Sequence, residues 1–106
     1  MKNLILISLL VLSFVSCKKE IKPDPIADFS FYVYLNEPGK VDFTNKSTNA
    51  TKYSWQFGDG INGSTETSPS HIYSQNGGYY VILSAISDDG VRSTTSTQTV
   101  TITNIH

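Results

Sequence analysis

Between positions 27 and 104 no apolar spacing holds a helical period for more than a turn. That excludes an amphipathic helix, whose core face needs apolar residues at i, i+3, i+4 and i+7. The segment instead carries short runs of β-branched and aromatic residues, separated by turn signals. Leucine, a strong helix former, occurs after position 17 only at Leu35 and Leu83. Asn36-Glu37-Pro38-Gly39 parts a first strand near 27–35 from a second near 40–44. A polar loop at 45–51 precedes a third strand, 52–57, which Gly58-Asp59-Gly60 closes. Short strands follow at 64–67 and 71–73, split by Ser68-Pro69-Ser70. Gln75-Asn76-Gly77-Gly78 leads into a long strand at 79–87. Asp88-Asp89-Gly90 is a hairpin signal that sends the chain into a last strand within 91–102. Regularly spaced short strands of this kind predict an all-β, two-sheet sandwich of about seven strands.

Strand side chains alternate between faces, so parity assigns the core. One side of the first strand collects Ala27, Phe29, Phe31, Val33 and Leu35. The second gives Val41 and Phe43, the third Tyr53, Trp55 and Phe57. The sixth gives Tyr79, Val81, Leu83 and Ala85, and the last Val100 and Ile102. Cys17 is the single cysteine, so no internal disulfide pins the sheets, and Trp55 is the expected centre of the core.

The N-terminus reads as an address. Lys2 supplies a positive start, and 4–15 is an apolar run broken only by Ser8 and Ser13. As a helix this run spans about 18 Å, too short for a hydrocarbon core of about 30 Å. Residues 1–16 are therefore expected to be a secretory signal peptide. An ordinary cleavage site wants small residues at −1 and −3; a cut before Cys17 puts Ser16 at −1 but Phe14 at −3. The run Leu12-Ser13-Phe14-Val15-Ser16-Cys17 resembles the lipobox of bacterial lipoproteins, with Phe14 and Val15 bulkier than usual. The resemblance implies a diacylglycerol on Cys17, which becomes the mature N-terminus and anchors the protein to membrane lipid. The alternative is an ordinary signal peptide beside a free thiol. Residues 17–26, with Pro23 and Pro25, are expected to be the lipidated cysteine and a tether, leaving 27–104 as the domain. Lys18 stands where an inner-membrane retention signal has Asp, which favours the outer membrane of the cell envelope.

Three runs inside the domain carry a second resemblance. Tyr53-Ser54-Trp55-Gln56-Phe57-Gly58-Asp59-Gly60 comes first, then Pro69-Ser70-His71-Ile72-Tyr73, then Gly77-Gly78-Tyr79-Tyr80-Val81-Ile82-Leu83. Together they resemble the PKD domain, an immunoglobulin-like β-sandwich of about eighty residues, and Val41-Asp42-Phe43-Thr44-Asn45 fits its second strand. The resemblance implies a structural motif of Trp55, Phe57, Gly58, Asp59, Gly60, His71, Tyr73 and Tyr79. Asp59 is expected in the turn, His71 as a hydrogen-bonding residue, and Tyr73 or Tyr79 as a tyrosine corner. Some PKD domains bind calcium, and Asp59, Glu66 and Asp88 are the acids that a loose site would draw on; no metal or other cofactor is assigned.

Composition narrows the function. Net charge is −1 with 16% charged residues, which excludes the basic stripe of a nucleic-acid module. With Cys17 modified, His106 terminal and His71 inside the motif, no nucleophile–base pair is left, and no enzyme activity is expected. The sequons at Asn45, Asn49 and Asn62 are chance in a Ser/Thr-rich chain. The resemblance implies a binding or adhesion module for an envelope protein or a polysaccharide; the alternative is a structural spacer or accessory subunit without a ligand. If the sixth strand is central, its outward Tyr80, Ile82, Ser84 and Ile86 form an apolar stripe. Ser54 and Gln56 would rim it on one side and Thr97, Thr99 and Thr101 on the other. The expected binding residues are Tyr80, Ile82, Ile86, Ser54 and Gln56.

Overall fold

The structure, a computed structural model, describes residues 21–106. The expected signal peptide, Cys17 and the first part of the tether lie outside the described residues. Six strands follow one another: β1 (Phe29–Val33), β2 (Lys40–Asn45), β3 (Lys52–Gln56), β4 (Ser70–Ile72), β5 (Gly77–Ile86) and β6 (Ser93–Ile102). They form two antiparallel three-stranded sheets, ordered β1-β2-β4 and β3-β5-β6. The all-β sandwich expected from the sequence is the fold observed.

The alternating residues meet between the sheets. Phe29, Val41, Phe43, Trp55, Phe57, Tyr73, Val81, Leu83, Ala85, Val100 and Ile102 are buried. Trp55 sits among three aromatic rings, Phe29 and Phe43 at centroid distances of 5.1 and 5.4 Å and Phe57 at 6.4 Å. Its indole Nε1–H donates to the Glu66 carbonyl at 2.9 Å, so the buried polar edge is satisfied. β5 and β6 pair over ten consecutive residues without a bulge, from Ile86↔Ser93 to Gly77↔Ile102. Their turn is tied by Ser87 and Asp89: the Ser87 hydroxyl donates to the Asp89 carboxylate at 2.6 Å, and Gly90 N–H donates to the Ser87 carbonyl at 2.9 Å.

Three features depart from the sequence reading. Leu35 is 80% exposed. β1 ends at Val33, Tyr34 N–H makes the last in-register bond to Lys40 O, and Leu35 already belongs to the turn, so strand parity no longer applies to it. The strand expected at 64–67 is a single bridge, Trp55↔Ser64, which leaves six strands among the described residues and not about seven. Finally, the end of the expected tether is bound to the domain. Pro25 is fully buried, and the Thr94 hydroxyl donates to Pro25 O and accepts Ala27 N–H, both at 3.0 Å. Arg92 donates to Lys22 O at 2.8 Å and pairs with Asp24 at 2.9 Å, while Ile26 and Thr48 exchange two backbone bonds. Residues 22–26 thus form a strap along one end of the sandwich.

Candidate functional site

Around the Trp55 run the chain builds a lock between the sheets. Gly58 and Gly60 take φ of +83° and +79°, the left-handed region that glycine enters without a Cβ penalty. A Cβ on Gly58 would also lie 2.5 Å from Tyr80 O, so the turn presses directly on β5. This places Asp59 over the end of β4. One of its oxygens meets His71 Nε2 at 2.6 Å; the other accepts Ile61 N–H at 3.2 Å. Burial alone raises the Asp59 pKa. The bonds from His71 and the Ile61 amide outweigh it and hold the carboxyl below the usual carboxylate range. The His71 ring stacks on Phe57 at 4.1 Å and meets the edge of Tyr73 at 4.6 Å. Asp59 and His71 therefore tie the Gly58-Asp59-Gly60 turn to β4 of the other sheet.

The two tyrosines divide their work. Tyr73 is buried, and its hydroxyl donates to Phe57 O at 2.8 Å; burial pushes its phenol above its ordinary range. Tyr79, at the start of β5, donates to Gln75 O four residues upstream at 2.5 Å. That is the geometry of a tyrosine corner, so Tyr79 fills the place that the sequence left open between the two. Asp59, Glu66 and Asp88 do not converge. Asp59 lies near Tyr79 at the start of β5, and Asp88 follows Ile86 at its end, about 20 Å along the same strand. Among the described residues no three metal-ligating side chains form a cluster.

The outer face of the β3-β5-β6 sheet is the other candidate. β5 is central, and register sets the rows: Gln56, Ile82 and Thr97; Ser54, Ser84 and Thr95; Lys52, Ile86 and Ser93. Tyr80 stands beside Thr99 and is 70% exposed. Ile82 and Ile86 are only half-exposed, because side chains on both neighbouring strands flank them. The structure therefore divides the expected set into two adjoining parts, which meet where Ser54 and Gln56 share a hollow along β3. Tyr80, Ile82 and Gln56 make one patch. Ser54 and Ile86 line a groove of about 420 Å³ along β3, together with Thr51, Tyr53, Thr65 and Thr67.

Sequence reasoning missed several residues that hold these surfaces in place. Gly63 brings the chain so close to β3 that a Cβ there would meet Trp55 O at 1.8 Å. Gln98 reaches from β6 to the Phe29 carbonyl, and Asn104 joins Gly39 N–H to Tyr34 O. Asn62-Gly63 is a turn signal in the sequence, whereas isolated amides in a polar strand give no such cue.

Comparison with known proteins agrees with this geometry. A family model for the PKD domain matches residues 23–102, and the chain belongs to that family. The match takes in Pro23–Ile26, the strap that the structure binds to the domain. Among solved structures, the chain is similar to the PKD1 domain of the Vibrio cholerae metalloprotease PrtV. Identity is 34%, coverage is 76% of this chain and 98% of that one, and the TM-score is 0.67. The PKD1 domain of Vibrio anguillarum Epp gives 29% identity, 77% and 96% coverage and a TM-score of 0.67. A structure of carbohydrate-binding modules from the beta-sandwich superfamily, described for their promiscuous specificity, gives 27% identity and a TM-score of 0.64. Coverage there is 80% of this chain and 36% of that one.

Proposed function

We propose that the protein is a lipid-anchored envelope protein whose PKD domain is a binding module for a protein or a carbohydrate, contacted through the outer face of the β3-β5-β6 sheet. The observation that carries the binding reading is Tyr80, 70% exposed on a central strand and set among Gln56, Ile82 and Thr99. An aromatic ring rimmed by an amide and hydroxyls suits either a sugar ring or a flat protein surface. Similarity to a structure of carbohydrate-binding modules supports the carbohydrate arm. Anchoring is supported by the sequence: the single cysteine comes two residues after the apolar run 4–15, at the end of the expected signal peptide 1–16. Two or more acyl chains suffice for stable attachment. With 22–26 strapped to the domain, five Cα–Cα steps lead from Cys17 to Lys22, a reach of at most about 18 Å. The domain then sits close to the bilayer, the outer membrane rather than the inner.

The test has two arms. Wild type is expected in the membrane fraction with an acyl mass on Cys17, and Cys17→Ser as unprocessed precursor or soluble protein. Soluble wild type without acyl mass refutes the anchor. In pull-downs from detergent-solubilised envelope, Tyr80→Ser with Ile82→Thr is expected to stay folded and lose the partner that wild type captures. A folded double variant that keeps all binding refutes the face, and wild type that captures nothing supports a spacer instead.

A further inference from the structure

β6 is an edge strand whose outward backbone is open: residues 22–29 run beside it, but they are held by the side chains of Arg92, Thr94 and Gln98 and leave the outward backbone groups unpaired. Arg92 O accepts Ser87 N–H at the head of the β5–β6 ladder. In an antiparallel pair a residue turns both backbone groups to the same side, and the side alternates. The even-numbered residues of β6 therefore face β5, and Ser93, Thr95, Thr97, Thr99 and Thr101 turn N–H and C=O to the outside. Among the described residues none of these ten groups has a hydrogen-bond partner. Natural edges are blunted by charge, proline, a bulge or shortness. Ser93–Ile102 is ten residues long, has no charged residue and no proline, and keeps continuous register.

We propose that β6 pairs antiparallel with β6 of a second copy of this chain, making one six-stranded sheet across a two-fold axis at Thr97. The occupant follows from the fold. The other edge of the same sheet, β3, turns only Tyr53 and Trp55 outward, and Trp55 is taken by its two backbone bonds to Ser64, so β3 offers β6 no continuous edge to pair with. Pairing β6 with itself uses the open edge on both copies and closes as a dimer. The axis at Thr97 sets Thr97 opposite Thr97, Thr95 opposite Thr99 and Ser93 opposite Thr101, so all ten outward groups find partners. These pairs are hydroxyl on hydroxyl, a favourable cross-strand combination, with no like charges opposed. Register then carries the outer face across the axis: Gln56, Ile82 and Thr97 of one copy continue into Thr97, Ile82 and Gln56 of the other. The dimer presents two Tyr80 patches on one continuous sheet. The pairing stands whether or not that face binds a ligand.

The test is register-specific disulfide trapping with the full chain expressed in bacterial cells. In the dimer the two Thr97 Cα atoms are about 5.5 Å apart, within disulfide range. The two Thr95 residues are more than about 13 Å apart. Mild oxidation of Thr97→Cys should give a dimer band on a non-reducing gel. Thr95→Cys should give no more than wild type, which reports any background from Cys17. Thr97→Pro removes an N–H that β5 does not use and should lower the dimer fraction by about tenfold or more in sedimentation of detergent-solubilised protein. Thr97→Lys opposes two charges at the axis and serves if the proline variant does not fold. Equal trapping of both cysteine variants, no trapping above wild type, or a folded Thr97→Lys that dimerises as wild type does overturns the proposal.

Discussion

Replacing Trp55 is the most direct probe of how this small sandwich is held together. The side chain is 1% exposed and lies among Phe29, Phe43 and Phe57. Taking it out of water hides about 200 Å², which at about 25 cal/mol per Å² is worth about 5 kcal/mol. Measured aromatic truncations cost about 3–5 kcal/mol, so the two routes agree. A domain of this length holds roughly 4–12 kcal/mol in total. Trp55→Ala should therefore bring the domain to the edge of unfolding at 25 °C. Trp55→Phe separates packing from hydrogen bonding. It keeps an aromatic ring but loses part of the indole volume and the bond to Glu66 O, and should cost about 2 kcal/mol. Urea unfolding of residues 21–106 followed by far-UV circular dichroism reads both variants; fluorescence cannot, since Trp55 is the only tryptophan. A Trp55→Ala shift below about 1 kcal/mol, or a Trp55→Phe loss as large as the alanine one, would refute the reasoning.

The Asp59–His71 pair gives a pH signature. The folded-state pKa of Asp59 is lowered, so its contribution is complete above the ordinary value of 3.8 and is lost as pH falls through the folded value. Urea midpoints should drop for wild type as pH falls below about 4 and drop less for Asp59→Asn; parallel curves would contradict this. Gly63→Ala should destabilise by roughly 2 kcal/mol or more, because Trp55 O occupies the place of the added Cβ; thermal melts check it. Tyr73→Phe strands a buried carbonyl and should cost about 1–3 kcal/mol, whereas Tyr79→Phe loses an exposed bond and should cost about 1 kcal/mol or less. The reverse order in chemical denaturation would show that the two roles are exchanged.

Most of the fold was legible because alternation and burial are the same fact in a half-buried strand. Val81, Leu83 and Ala85 alternate with Ile82, Ser84 and Ile86, and the inward three are fully buried. Alternation does not say where a strand ends, which is why Leu35 was placed inside. Its parity continues that of Val33, but Tyr34 makes the last ladder bond, to Lys40 O, and the chain turns at Leu35. Nor does composition separate a strand from a bridge. Residues 64–67 have strand-like residues, yet only Ser64 reaches β3, and the Trp55 side chain takes the Glu66 carbonyl. The strap was hidden for a different reason. Pro23 and Pro25 signal an extended backbone, and the distant Thr94, Arg92, Asn49 and Thr48 hold it on the domain. Of the candidate site, strand parity put Tyr80 on the outer face, but the splitting of the stripe depends on how far neighbouring side chains cover Ile82 and Ile86.

Tyrosine footprinting in the intact envelope tests the central claim, that the outer face of the β3-β5-β6 sheet is the contact surface. Tyr80 on that face is 70% exposed, and Tyr32 on the outer face of the opposite sheet is 59% exposed, so the two should label at similar rates in purified protein. Hydroxyl-radical labelling of cells read by peptide mass spectrometry compares them directly. Protection of Tyr80 in the envelope with Tyr32 still reactive is the result predicted; Tyr80 labelling as freely as Tyr32, or protection of Tyr32 alone, would contradict it.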